Sequence, residues 1–290
     1  MRLLMLITTT VLLFSSGLIA QEEDKKQWSP KKEERKNRSF FLGVDFGLSA
    51  SQFRDFATSP LIYEGNVITF AVSATRFDAK KETTSDLRFS TGTYSAEIAE
   101  TFAASSVFTV FNSYQQLFRI NRYSKDKWNL KAGGNIAWSM NTRSNPSLGN
   151  NSFGLEVIGT LFGSVKVTRD LSRKKEKDVK ILFIKYKLKP LKRDLSVQFN
   201  TGIVNANLRN GFAFIAQDGL INEPNTLEDY QLNFFSGFRL SSRIDYSVYL
   251  TKGNLFRLSY LWDAYRTGNE FDKFEMGHHM LTASLWFRTK

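Results

Sequence analysis

The sequence predicts an all-β chain folded as an antiparallel transmembrane β-barrel of about twelve strands, with ten as the alternative count. Three observations point there. Apolar and polar residues alternate over runs of more than ten residues, where a strand of a soluble protein usually holds about 5–6. Aromatics are abundant (26 Phe, 10 Tyr, 5 Trp) and prolines few, at 5, as long strands with apolar outer faces require. There is no cysteine, which removes a disulfide-stapled secreted scaffold and any thiol nucleophile.

Hydropathy does not separate the membrane and soluble classes. The mean hydropathy is −0.30, but half of each strand in a transmembrane barrel faces a polar lumen, so such barrels score as soluble proteins do. Beyond residue 20 no stretch reaches the ~18 consecutive apolar residues of a membrane helix. The alternative, a soluble β-sandwich, must cover or solvate its second face, and the many apolar side chains on that face argue against it.

Three segments are expected. Residues 1–20 carry Arg2 followed by the apolar run Leu3 to Ala20, the pattern of a secretory signal peptide cut after Ala20; an uncleaved anchor helix is the alternative. Residue 21 is Gln, so no lipid attachment at a cysteine is expected there. Residues 21–38 are Gln, Glu, Asp, Lys and Arg with little apolar beyond Trp28 and Pro30, a flexible basic leader by composition. Residues 39–290 form the expected barrel.

Within it the strands follow from period two, because successive side chains of a strand point to opposite faces. Phe40, Leu42, Val44, Phe46, Leu48 and Ala50 share one face, opposite Gly43, Asp45, Gly47, Ser49 and Ser51. Residues 67–76 set Ile68, Phe70, Val72 and Ala74 against Thr69, Ser73 and Thr75. Weaker alternation at 86–97 and 106–122 predicts two more strands with Glu97 to Ser105 as a loop. Lys125-Asp126-Lys127 reads as a tight turn. Next come Trp128, Leu130, Ala132, Ile136, Trp138 and Met140 outward, then Leu155, Val157, Leu161, Val165 and Val167, with a loop at 145–151 between the two runs. In the first of these runs Gly133-Gly134 reads as a close backbone approach rather than a phosphate cradle.

Residues 170–217 are the hardest to parse. Arg173 to Asp178 is a charged turn. Residues 179–189 alternate until Pro190 breaks them. Leu195, Val197, Phe199 and Ile203 begin another strand. Asn210-Gly211 is a hairpin dipeptide leading into a short run at 212–216. If 179–189 and 212–216 both span the membrane the count is twelve, and otherwise ten. The even positions from Tyr230 to Leu250 hold one long apolar face; a hidden turn near Ser241-Ser242 is the alternative reading. After a turn at Lys252-Gly253-Asn254, Phe256, Leu258, Tyr260, Trp262 and Ala264 face out. A Gly268–Glu275 loop then leads to Leu281, Ala283, Leu285 and Phe287 on the final strand.

The opposite face of these strands supplies the candidate lumen-lining residues: the acids Asp45, Glu156, Asp245 and Asp263, and the bases Lys131, Lys166, Arg239, Arg243 and Arg257. They fit either a filled interior of mutually paired charges or a charge-lined pathway for small or anionic solutes. The net charge of +12 would point to nucleic acid in a cytoplasmic chain. Behind an export signal, phosphate-rich lipid headgroups or anionic solutes are the better partners, and nucleic acid is not expected.

Catalytic chemistry has little to work with. His278 and His279 are the only histidines, and as strand neighbours they point to opposite faces, so they do not share a metal. Ser284 shares a face with His278 but lies roughly 20 Å along the strand. No phosphate-binding glycine loop or calcium-loop spacing occurs. No catalytic residue, metal or cofactor is expected.

The signal, the repeated hairpins, the Arg257-to-Arg266 stretch and the aromatic final strand together resemble a family of uncharacterised outer-membrane β-barrel proteins of Gram-negative bacteria. The likeness covers about residues 39–287. In such barrels the last strand usually ends the chain on an aromatic, whereas Arg288, Thr289 and Lys290 follow Phe287 here. The resemblance implies insertion by the barrel-assembly machinery, an outer-membrane location with both termini periplasmic, and contact with outer-membrane lipids and lipopolysaccharide. It implies no activity. The expected function is a porin-like narrow channel or transport barrel, or a structural envelope component. The alternative is a lipid-modifying barrel enzyme of the phospholipase or lipid A deacylase type, using His278 or His279. Outer-membrane phospholipases carry a His-x-Ser pairing, which this chain lacks.

Overall fold

The computed structural model describes residues 38–98, 101–151, 153–181, 183–210, 230–250, 253–268 and 273–289. The expected signal peptide, residues 21–37 of the expected leader, and the run 212–216 lie outside them.

Long alternating runs become long strands. In chain order they are β1 (Ser39–Asp55), β2 (Ser59–Phe77), β3 (Lys81–Ile98), β4 (Thr101–Arg119), β5 (Trp128–Ser144), β6 (Phe153–Asp170), β7 (Lys177–Ile181), β8 (Ile184–Leu188), β9 (Arg193–Asn210), β10 (Tyr230–Phe234), β11 (Phe238–Tyr249), β12 (Leu255–Thr267) and β13 (Phe274–Arg288). Ten of them close an antiparallel ring in the order β1-β2-β3-β4-β5-β6-β9-β11-β12-β13. The ring shuts where β1 pairs with β13, from Phe41↔Arg288 to Asp55↔Phe274. Strands of 12 to 19 residues exceed the ~9–11 that a tilted membrane strand needs.

The ten-strand alternative is therefore the count that holds, and the physical reasons are local. β7 and β8 have five residues each, too few to span, and they pair only with each other as a hairpin. β10 is an extra short strand that pairs with β9 beyond the end of β11. The break in the 230–250 run falls at Phe235–Gly237, not at Ser241-Ser242, which sit inside β11 opposite Asp263 and Trp262. Phe235 and Gly237 adopt positive φ, 55° and 84°, which interrupts the extended backbone. The expected Glu97–Ser105 loop is instead the paired tip of the β3–β4 hairpin, where Ala96 faces Ala103 and Ile98 faces Thr101. The expected Gly268–Glu275 loop ends sooner, because Phe274 and Glu275 already pair with β12. The Lys125–Lys127 turn is present, closed by reciprocal backbone bonds between Lys125 and Trp128.

The wall is inverted relative to a soluble protein. Outward side chains are apolar and open: Phe46, Leu48, Ile68, Ile136, Phe199, Ile203 and Leu281 are each more than half exposed. Inward side chains are buried and largely polar. A closed barrel with an apolar outer band and a polar interior is stable with that band in lipid, so this is a transmembrane β-barrel.

Inside, two apolar clusters cap the polar zone. At the end where β1 starts and β13 finishes, here the near end, Phe41, Leu255 and Trp286 are buried together. At the far end Phe53, Tyr63, Tyr94, Tyr265 and Phe274 form the larger cluster, with Phe53 stacked on Tyr63 at 5.0 Å between ring centroids.

Candidate functional site in the barrel lumen

Alternation along each strand decides which charges enter the lumen. Asp45, Lys131, Glu156, Lys166, Arg239, Asp245 and Asp263 are buried, and Arg243 and Arg257 are half-buried. A buried charge is tolerated only when paired and hydrogen-bonded, so the partners define the site.

Four groups occupy successive levels. At the near end Glu82 takes two ammonium groups, Lys166 Nζ at 2.6 Å and Lys131 Nζ at 3.3 Å. Beside it, Arg257 lies over the Trp286 ring at 4.4 Å and donates to Ser247. Deeper, Arg243 donates to Asp245 at 2.6 Å, and Asp245 also accepts from Ser196. Asp45 accepts from Ser73 at 3.2 Å. At mid-barrel Arg239 grips Asp263 with two bonds and reaches Ser139 at 3.3 Å. At the far end Arg143 donates to both oxygens of Glu156 at 2.9 Å and to Asp55, which also accepts from Arg209 at 2.8 Å. Arg143 sits over the Phe274 ring at 4.3 Å, so the aromatic cluster and the ion network form one plug.

Asp55, Glu82, Arg143, Arg209 and the Arg88–Asp86 pair, joined at 2.9 Å, lie outside the candidate set read from the sequence. Two of them carried a usable signal. Asp55 continues the inward parity of Asp45, and Arg143 follows the inward Asn141 by two positions. The weak alternation of β3 hid Glu82, Asp86 and Arg88, and the Asn-Gly turn signal hid Arg209.

The two histidines point to opposite faces, as neighbours on a strand must. His279 faces outward, 2.6 Å from the Tyr260 hydroxyl. His278 faces the lumen, in register with Ser51 on one side and Asp263 on the other. Both flanking groups are engaged elsewhere: Ser51 Oγ donates to the Gly277 carbonyl at 3.2 Å, and Asp263 is held by Arg239. Ser51, His278, Asp263 and Arg239 line a small cavity of about 40 Å³, together with Thr69, Ser90, Thr109 and Tyr265. Among the described residues no three His, Cys, Asp or Glu side chains are grouped as a metal site would need.

Gly133 and Gly134 differ. A Cβ on Gly133 would lie 2.0 Å from the Gln116 carbonyl oxygen, whereas on Gly134 the nearest atom is 3.6 Å away. The close backbone approach is real at Gly133 alone.

No protein-family model matches the chain, and no curated protein matches it in sequence. By structure it is similar to the translocator domain of the autotransporter NalP from Neisseria meningitidis, at 10% identity and a TM-score of 0.37, with 97% of this chain and 95% of that chain covered. It is similar to the outer membrane protease OmpT from Escherichia coli at 7% identity and a TM-score of 0.46, covering 86% and 96%. The transport unit of the autotransporter AIDA-I from Escherichia coli matches at 8% identity and a TM-score of 0.41, covering 93% of each. These are slight likenesses of fold, and no activity crosses with them.

Proposed function

We propose that the protein is a closed outer-membrane barrel, a structural component of the envelope whose lumen is filled by its own side chains. One observation carries this reading: polar side chains bond across the lumen between strands that are not neighbours. Gln198 of β9 donates to Gln115 of β4 at 2.6 Å. Lys166 of β6 reaches Glu82 of β3, Asn141 of β5 donates to Tyr265 of β12 at 2.6 Å, and Arg209 of β9 reaches Asp55 of β1. Such bonds obstruct a solute path at several levels, and moving any one aside leaves a buried charge or amide unpaired.

Planar-bilayer recordings test it. Folded protein inserted into a bilayer is expected to show no sustained conductance, and reproducible ohmic steps would favour the narrow-channel reading instead. The termini are proposed to face the periplasm. With cysteine at Ser147 or Lys174, an impermeant thiol reagent on intact cells should label the first and spare the second; the reverse pattern would invert the barrel.

The second reading is a lipid-modifying enzyme, favoured by the Ser51–His278–Asp263 row across β1, β13 and β12. It requires Ser51 Oγ to turn from Gly277 toward His278. Release of fatty acid from labelled phospholipid or lipid A, abolished by Ser51→Ala, would support it; no release would remove it.

A further inference from the structure

One sector of the outer wall is polar at the depth where lipid tails meet it. β4 turns Ser113, Gln115 and Leu117 into the lumen, where they are buried, so Asn112, Tyr114 and Gln116 face outward. Along the strand they are bracketed by Phe108 and Phe118, both open to lipid, which sets them inside the apolar band and not at a rim. Beside them, Ser85 and Thr83 of β3 lie opposite Tyr114 and Gln116. The same stretch of the wall carries Val44, Phe46 and Leu48 on β1 and Leu281, Ala283 and Leu285 on β13. The other outward amides on the ring strands, among the described residues, are Gln52 and Asn66. They sit by the far rim, two positions from Arg54 and Glu64.

The bonds these side chains make leave polar groups over. Asn112 Nδ2 donates to the Asp86 carbonyl at 3.2 Å, and the Gln116 amide donates to the Tyr114 hydroxyl. Asn112 Oδ1 and Gln116 Oε1 accept no bond among the described residues, and the Tyr114 hydroxyl donates none. Hydrocarbon offers neither donor nor acceptor, so a polar group left in it carries its full desolvation cost. By contrast, outward Tyr260 and His279 bond to each other. Next to the amides the wall is recessed: Gly134 lies opposite Gln116 on one side and Gly163 on the other. A Cβ on Gly134 would meet nothing nearer than 3.6 Å. Small residues of this kind let a second wall approach closely.

We propose that this face of β3, β4 and β5 is where two copies of the chain meet within the membrane, joined through Asn112, Tyr114 and Gln116. Two barrels inserted the same way round are related by a two-fold axis along the membrane normal, so each residue meets the second copy at its own depth. Amide then meets amide. An amide is its own complement, because its carbonyl accepts what the other's N–H donates. Lipid tails supply neither group, which is why a second copy covers this face better than lipid does. Tyr114 stands 44% exposed, and the Gly134 recess leaves room for the Tyr114 ring of the second copy. The inference rests on the outer wall lying in lipid and is independent of whether the lumen conducts.

The chain has no cysteine, so a single added thiol reports its own neighbours. The folded full chain is reconstituted in phosphatidylcholine vesicles at a high lipid-to-protein ratio and oxidised with copper phenanthroline. Ser85→Cys is expected to give a disulfide-linked dimer. Leu258→Cys, outward on β12 across the ring, is expected to stay monomeric. In the same vesicles, energy transfer between labelled copies measures association, and Asn112→Leu with Gln116→Leu should weaken it by about ten-fold. Both leucines suit a lipid-facing wall, and the mobility shift between unheated and boiled samples checks that the barrel is closed, so a lost dimer is distinguished from a lost fold. A monomeric parent overturns the proposal, as does equal cross-linking at positions 85 and 258. A dimer that persists undiminished in the double leucine variant overturns it too. So does Ser85→Cys cross-linking in native envelopes to a different polypeptide and never to a second copy.

Discussion

Arg239 and Asp263 meet in a two-pronged ion pair at mid-barrel, with Nη2 to Oδ2 at 2.7 Å and Nε to Oδ1 at 3.2 Å, both residues almost fully buried. The planar guanidinium matches the carboxylate edge, which fixes the angle between β11 and β12 as well as their separation. Asp263→Asn or Arg239→Met removes one partner and strands the other, at a cost of about 3–5 kcal/mol. Combining Arg239→Met with Asp263→Leu removes both charges and should recover most of that loss. Denaturant midpoints of detergent-folded protein would measure the difference.

Lumen filling makes a prediction about permeation. Arg143 and Arg239 bridge opposite parts of the wall, to Asp55 and to Ser139. Trimming both to Ala clears two levels of the plug and is expected to convert a silent barrel into one that conducts small ions. Single-channel steps in the double variant and none in the parent are the expected bilayer result. Silence in both would mean that the remaining Lys166–Glu82 and Arg209–Asp55 bonds suffice to block the path.

The break between β10 and β11 should be sensitive at one residue and tolerant at another two positions away. Gly237 has φ +84°, and a Cβ there would lie 2.1 Å from the Arg266 carbonyl oxygen. Gly237→Ala should cost about 1–2 kcal/mol from the backbone alone, with more from the contact. Phe235 also has positive φ but is exposed. Phe235→Asn, a residue that accepts this conformation, should stay within about 1 kcal/mol of the parent. Comparing their unfolding midpoints tests both statements.

Gly43 is a packing position. It faces Trp286 across β1 and β13, and a Cβ on it would come within 2.6 Å of Ser73 Oγ and 3.0 Å of the indole. Gly43→Leu should displace Trp286, uncouple Arg257 from its ring and lower stability by about 1–3 kcal/mol through overpacking. Quenching of tryptophan emission by a water-soluble quencher, weak in the parent and stronger in the variant, would report the displacement.

The barrel was legible in the sequence where one face is strongly apolar. Phe40 to Ala50 and Trp128 to Met140 announced both their strands and their inward partners, because period two leaves no ambiguity when outward residues are all apolar. β3 was partly hidden, since its outward positions include Thr83, Ser85 and Thr93 beside the apolar Leu87 and Phe89. The 230–250 run concealed its break because Phe234 and Phe238, on either side of the three residues 235–237, keep the same parity, so the even positions read as one unbroken face. β7 and β8 looked like a spanning strand because alternation reports two-sidedness, not length. The site was legible only as a set of inward charges. Which acid meets which base depends on pairings such as Glu82 with Lys166, 84 residues apart, and strand parity says nothing about distance across a ring.

The seam between β1 and β13 has a consequence for how the molecule comes into being. Ser51 and Gly277 are bonded although 226 positions separate them in the chain, so the contact that shuts the wall joins nearly the first barrel residue to nearly the last. Closing a loop of that size is entropically late. Until it closes, both bordering strands present unpaired amides and carbonyls to any strand that passes. A ribosome releasing this chain therefore hands over an open ribbon with two adhesive margins, and the interval before they find each other is when the protein most needs an escort.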